Sequence, residues 1–285
     1  MWPPPALSTE PVRHGAKGTA ELLARFGLHP DKSLGQHFLV DPNQIERIVR
    51  LAGVKPGDHV VEVGPGLGAL TAGLAGAGCH VVAVEIDEGL VGALRSQFGT
   101  NDSVTVVHQD AMTVDWDQVT PAEDTWSMVA NLPYNVATPL VLDVLDMVPQ
   151  VNSLLVMVQR EVAERLVAAP GSSNYGIPSV KVAYWATGEL VAKVPPSVFL
   201  PPPRVESALV RLVRHEKPLY DEPIGPVFEL VRAAFGKRRK MLRKSLSGLV
   251  AAEQFEAAGV ASDNRPEQIG VEQWCALAKA RRLAS

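Results

Sequence analysis

Ten consecutive residues constrain this chain most: Val60-Val61-Glu62-Val63-Gly64-Pro65-Gly66-Leu67-Gly68-Ala69. The β-branched apolar start reads as a buried strand, the glycines as a tight turn, and Ala69 as the opening of a helix. Read as Gly64-x-Gly66-x-x-Ala69, the turn even satisfies the dinucleotide-binding fingerprint, so alone it names no ligand. Comparable apolar runs recur at 80–85, 104–108, 126–130 and 154–159, with helical stretches between them. Strands alternating with helices predict parallel βαβ units in a doubly wound, Rossmann-like α/β sheet. Two later runs, 189–194 and 207–213, are set off by Pro195-Pro196 and Pro201-Pro202-Pro203 and read as a final antiparallel pair. From Pro223 the pattern turns helical, over 229–235, 239–250, 253–258 and 271–280. The expected division is a mobile Pro-rich tail (1–17), an α/β domain (18–214) and a small all-helical domain (215–285).

In open α/β sheets the chemistry gathers beyond the carboxyl ends of the strands. Glu85 ends the second strand, 21 positions after Gly64, where an acid can bind both hydroxyls of a ribose. That arrangement is common to NAD and to other adenosyl ligands. Charge separates them. Glu62, Glu85, Asp87 and Asp110 surround the turn with no Lys or Arg nearby in sequence. A pyrophosphate would be repelled there, although a helix N-terminus can bind one without basic side chains. S-adenosylmethionine carries a sulfonium and an ammonium group and no phosphate, so carboxylates suit it. Asp110, after the third strand and beside Ala111 and Met112, could accept from the adenine amine of that cofactor. Its other reading is a loop-ending Asp or helix cap.

Asn131-Leu132-Pro133-Tyr134 closes the fourth strand, because Pro133 can continue neither a helix nor a sheet ladder. An amide, free backbone carbonyls and an aromatic ring suit a flat ring bearing an amino group. The N6 of adenine is such a group, and it is a poor nucleophile until its hydrogens are held. The Asn131 oxygen and the carbonyl of Leu132 or Pro133 could accept them while Tyr134 stacks on the base.

No apolar run approaches the roughly 20 residues of a membrane helix, and Met1-Trp2-Pro3-Pro4-Pro5 does not read as a secretory signal. Cys79 and Cys275, the two cysteines, form no CxxC, which points to a cytoplasmic, reducing setting and no metal. The net charge of −4 conceals an asymmetry: 58–150 holds 13 acidic residues against Arg95, whereas 204–244 holds 11 basic against 5 acidic. Lys237, Arg238, Arg239 and Lys240, with Arg243 and Lys244, concentrate cations on one expected helical segment. They read as an RNA phosphate-binding cluster or as a solvated face.

Lys32-Ser33-Leu34-Gly35-Gln36-His37-Phe38-Leu39, the glycine turn, Gln109-Asp110-Ala111-Met112, Asn131-Leu132-Pro133-Tyr134-Asn135 and Gln159-Arg160-Glu161-Val162-Ala163-Glu164-Arg165-Leu166 resemble the rRNA adenine N6-dimethyltransferases. So do Val194-Pro195-Pro196-Ser197-Val198-Phe199, Pro201-Pro202-Pro203 and Phe235-Gly236-Lys237-Arg238-Arg239-Lys240. Together they span Lys32 to about Leu246. The bacterial type is most similar; it dimethylates two adjacent adenosines near the 3′ end of small-subunit rRNA during subunit biogenesis. The macrolide-resistance methyltransferases of large-subunit rRNA are relatives and the competing reading. The resemblance implies S-adenosylmethionine contacts at His37, Leu39, Gly64, Glu85, Asp110 and Asn131. His37 departs from the family, which usually has Asn there. It implies catalytic positions at Asn131, Leu132, Pro133 and Tyr134, with Phe199 closing the other face of the base. Phe199 also reads as a loop aromatic packed among prolines. The implied partner is rRNA within an immature small subunit, with neither metal nor membrane. A nucleotide-dependent oxidoreductase and a non-catalytic ribosome-assembly factor are the readings from other classes.

Overall fold

The computed structural model describes residues 15–30 and 35–284. Of the expected tail, 1–14 lie outside these, while Ala16 and Lys17 already belong to a helix, Ala16–Phe26. Lys32, Ser33 and Leu34 of the first motif also lie outside the described residues.

The sheet strands are β1 (His59–Val63), β2 (His80–Glu85), β3 (Val104–His108), β4 (Trp126–Asn131), β5 (Val151–Gln159), β6 (Ala186–Val194) and β7 (Ser207–Arg214). They form one sheet of seven strands in the order β3-β2-β1-β4-β5-β7-β6. Pairing is parallel from β3 through β5. The expected antiparallel pair is present, and β7 lies between its partners, antiparallel to both β5 and β6. The strand order reverses between β1 and β4, so a crevice opens beyond their carboxyl ends.

Alternation along the strands explains why both faces are covered. Val61, Met128, Ala130, Leu154 and Val156 enter one buried cluster, whereas Val60, Val129, Leu155 and Met157 enter another. Helix Ala137–Met147 covers the first face with Leu140, Val141, Val144 and Leu145. Helices Pro42–Ala52 and Ala69–Gly76 cover the second with Ile45, Ile48, Leu70 and Leu74. Each such fully buried aliphatic side chain contributes roughly 1.5–3 kcal/mol.

The later helices are Ile224–Phe235, Leu242–Ser245, Ala252–Ala257 and Val271–Leu283. Their core is built round Trp274, and it takes in Tyr175, Val180 and Tyr184 from the segment that leads into β6. The helix expected over 239–250 is far shorter than its pattern suggested: 236–240 is a turn and bend, and only Leu242–Ser245 is helical. Backbone bonds from Leu242 to Asn264 and from Arg243 to Ser262 pin this stretch to a later loop instead.

A two-stranded ribbon escapes sequence periodicity altogether. Phe38–Leu39 pairs antiparallel with Phe199–Leu200, joining the segment before β1 to the one before β7. Two residues are too few for alternation to register.

Candidate active site

The crevice beyond β1 to β4 is a cavity of about 250 Å³, against the roughly 10–15 Å³ a single water needs. His37, Gly64, Glu85, Asp110 and the four residues Asn131, Leu132, Pro133 and Tyr134 all line it. Positions scattered over about a hundred residues of sequence thus meet in one place.

The glycine turn gives the cavity its floor. Gly64, Gly66 and Gly68 have φ of 68°, 61° and 80°, a region where a side chain costs about 1–2 kcal/mol. Space is restricted as well: a Cβ on Gly66 would come within 3.0 Å of the Phe38 ring, and one on Gly64 within 3.2 Å of Pro133.

Glu85 is buried and already engaged by the backbone. One carboxylate oxygen accepts from Gly66 N at 3.1 Å, and the other from Ile86 N at 2.9 Å and Asp87 N at 3.1 Å. A carboxylate has about four acceptor positions, so one is left unused, where the sequence reading asked for acceptors for two hydroxyls. Burial raises its pKa, while the backbone donors at Asp87, Gly66 and Ile86 pull it back down. Asp87 caps helix Glu88–Phe98 through Leu90 N, and its other oxygen accepts from Gln36 Nε2 at 3.1 Å. Asp110 is exposed; its Oδ1 accepts from Met112 N at 2.9 Å, which leaves Oδ2 for a ligand. The loop-capping reading of Asp110 is thus seen in the structure, and Oδ2 is the oxygen that the other reading would use.

At the end of β4, Asn131 Nδ2 donates to His37 O at 3.2 Å. A carbonyl can only accept, so this bond fixes the amide's orientation and leaves Oδ1 as its acceptor. Leu132 N donates to Met157 O, and Pro133 then ends the ladder. Pro133 O accepts from both Val136 N and Ala137 N, starting the next helix. Of the two carbonyls offered by the sequence, Pro133 O is thus committed, whereas Leu132 O accepts no loop or turn bond among the described residues. The Leu132 side chain itself is buried in the core.

Tyr134 is half-buried, with its hydroxyl 2.8 Å from Ser207 Oγ and its ring centroid 5.6 Å from that of His37. Burial raises the Tyr134 pKa, and the Ser207 hydrogen bond opposes this. His37 Nδ1 donates to Pro201 O at 2.8 Å, a bond that fixes which ring nitrogen carries the proton.

Two expected site residues stand apart from this cavity. Leu39 is buried and borders a smaller adjoining cavity, together with Glu62. Phe199 differs from its expected place on a bound base: only 3% exposed, it belongs to the core beneath the sheet, paired with Leu39 across the ribbon. Packing among its neighbours, the plainer of its two sequence readings, is what this ring does.

The cation cluster lies on the exposed turn after helix Ile224–Phe235. Arg238 is engaged, donating to Ser173 O at 3.0 Å and lying 3.9 Å from Glu267. Lys237, Arg239 and Lys240 are exposed and make no ion pair with the described residues; Arg243 is exposed on the following short helix. Arg160 and Arg165 are also exposed, but each is paired with acids, Glu164 and Glu206 for the first and Glu161 for the second.

Phe38, Ile86 and Gln36 also line the cavity, although sequence reasoning gave them no role. Ile86 had one legible signal, its place directly after Glu85.

The fit to S-adenosylmethionine rests on the donor set. Among the described residues no Lys or Arg lines the cavity, and two carboxylates, Glu85 and Asp110, do. Such a lining favours cations over a pyrophosphate, and the side-chain-free turn allows close approach.

The family model described as ribosomal RNA adenine dimethylase matches residues 28–282. Proteins named ribosomal RNA small subunit methyltransferase A are similar over nearly the full length. That of Bifidobacterium longum is 42% identical, covering 93% of this chain and 92% of its own. That of Cutibacterium acnes is 46% identical, covering 87% of each. Among solved structures, a dimethyladenosine transferase from Plasmodium falciparum shows the same fold, with a TM-score of 0.72 at 24% identity over 85% of this chain and 96% of that one. The 23S rRNA methyltransferase ErmE follows at a TM-score of 0.65 and 27% identity, over 86% and 99%. A match reaching from before the ribbon to the last helix takes in the glycine turn, the Asn131 loop and the helical core alike, and on it this chain belongs to the ribosomal RNA adenine dimethylase family.

Proposed function

We propose that this protein uses S-adenosylmethionine to dimethylate N6 of two adjacent adenosines near the 3′ end of small-subunit rRNA, acting in the cytoplasm on an immature small subunit. The observation that carries the reading is the fixed orientation of Asn131: Nδ2 is held by His37 O, which leaves Oδ1 as the acceptor of a side chain that lines the cavity together with Glu85 and Asp110.

When bound, S-adenosylmethionine supplies a methyl group on a sulfonium, which the N6 lone pair takes as the carbon–sulfur bond breaks. Asn131 Oδ1 and Leu132 O accept the two N6 hydrogens, aim the lone pair and keep it out of the ring. Tyr134 stacks on the base. A proton leaves N6 to water, so the chain contributes orientation and polarisation without a dedicated base. Glu85 holds the ribose and Asp110 Oδ2 the adenine amine of the cofactor; Gly64, Leu39 and His37 contribute backbone or edge contacts. Phe199 supports the ribbon that carries His37. We read 18–214 as the catalytic domain and 215–285 as a helical domain that helps bind RNA, with Lys237, Arg238, Arg239, Lys240 and Arg243 meeting phosphates.

The relatives at 42–46% identity are named for the small subunit, whereas ErmE, named for 23S rRNA, stands at 27%. That difference favours the small subunit over the macrolide-resistance reading. The complete Asn131, Glu85 and Asp110 set favours an enzyme over a non-catalytic assembly factor.

Asn131→Ala tests the mechanism. Single-turnover methyl transfer should fall by roughly 10²–10³, as when one oriented hydrogen-bonding group is removed from an active site, with RNA affinity retained. Transfer at the parental rate would overturn the role of Asn131.

A further inference from the structure

A base-stacking ring on a loop needs something to hold its plane, because loops move more than the elements they join. Tyr134 lies on the connection after β4, and the only polar atom of its side chain meets Ser207 Oγ at 2.8 Å, 73 residues away in sequence. Ser207 is 0% exposed. It is the first residue of β7 and is paired on both sides, with Gln159 of β5 and Val194 of β6. Its hydroxyl is therefore placed by three strands. The other restraint on the ring comes from His37, whose own ring is tied to Pro201 O in the same connection that leads into Ser207.

We propose that Ser207 is a positioning residue for methyl transfer: from the far half of the sheet it fixes the plane of Tyr134, so that the stacked adenine presents N6 to Asn131 at one height. The inference rests on the reading of Tyr134 as the stacking platform. The same chain of contacts holds both parts of the target site, since Asn131 Nδ2 is bonded to His37 O while the His37 ring flanks Tyr134. A fixed plane matters most for the second transfer, when N6 carries a methyl group and has one hydrogen fewer to guide it.

The test is a double-mutant cycle on the full chain with Ser207→Ala, Tyr134→Phe and the pair, assayed on immature small subunits, with Tyr134→Ala alongside. Each single variant should lower kcat/KM for RNA by roughly threefold to tenfold, the range of one net hydrogen bond. The pair should lose no more than either single variant, because both remove the same bond. Monomethyladenosine should accumulate, and S-adenosylmethionine affinity should stay within about twofold, which general damage to the fold would not spare. Parental activity in Ser207→Ala, or losses that multiply in the pair, would overturn the positioning role while leaving the platform intact. Parental methylation in Tyr134→Ala would instead overturn the platform reading on which the inference rests.

Discussion

Glu62 makes the stability of this protein depend on pH in a way that can be measured. It is 1% exposed on β1, and Thr71 Oγ1 donates to it at 2.6 Å. Burial pushes its carboxyl from 4.5 up to about 8, with the Thr71 bond pulling down and the Glu85 charge pushing up. The folded value lies above the unfolded one, so the fold favours the protonated acid. That contribution is complete below about 4.5 and is lost as pH rises through about 8. Within this window each pH unit removes about 1.4 kcal/mol, and the loss accumulates to roughly 5 kcal/mol. This is a large share of the roughly 5–15 kcal/mol that holds an ordinary domain folded. Glu62→Gln keeps the shape and an acceptor for Thr71 but cannot ionise. In urea unfolding between pH 5 and 8, its stability relative to the parent should therefore climb by about 1.4 kcal/mol per pH unit. Glu62 borders the small cavity beside the glycine turn, so a cationic ligand there would favour its ionised form. Saturating S-adenosylmethionine should accordingly flatten the parent's pH dependence towards that of the variant. A stability difference that does not change with pH would refute the reasoning.

Glu85→Ala should weaken S-adenosylmethionine binding by roughly 10- to 100-fold in calorimetric titration, because it removes a charged hydrogen-bond acceptor and the brace on Gly66 N; unchanged affinity would refute the assignment. Neutralising Lys237, Arg239 and Lys240 should weaken RNA binding and reduce the logarithmic salt slope by roughly 0.7–0.9 for each phosphate no longer neutralised, with cofactor affinity unaltered. Adding Arg238 to that set should also disturb the fold, because it anchors Ser173 and approaches Glu267. Thermal unfolding separates the two effects, and an unaltered salt slope would make the cluster a solvated face.

The sheet was legible because its signals are local. Each long apolar run became a strand, and the glycine turn, Glu85, Asp110 and Asn131 ended up at the strand ends where α/β topology puts ligands. The misses were non-local. The Phe38–Leu39 ribbon is too short to show alternation, so the sequence left both readings of Phe199 open. The cations at 237–240 follow a helical apolar pattern, yet tertiary bonds to Ser262 and Asn264 leave them on a turn. Which of the two carbonyls is engaged depended on the start of the next helix, which occupies Pro133 O. Ser207 carried no sequence signal, since a lone hydroxyl opening an apolar strand says nothing about a tyrosine 73 residues away.

The cavity and the Asn131 loop would serve any adenosine held against them, so the choice of RNA is the central claim and can be tested directly. The protein is incubated with labelled S-adenosylmethionine and, separately, with immature small and large ribosomal subunits, and the label is located by nuclease mapping. The account predicts dimethyladenosine at two adjacent positions near the 3′ end of small-subunit rRNA, and none in the large subunit. Label confined to large-subunit RNA would contradict it in favour of a resistance methyltransferase, and label in neither would contradict it in favour of an assembly factor without catalysis.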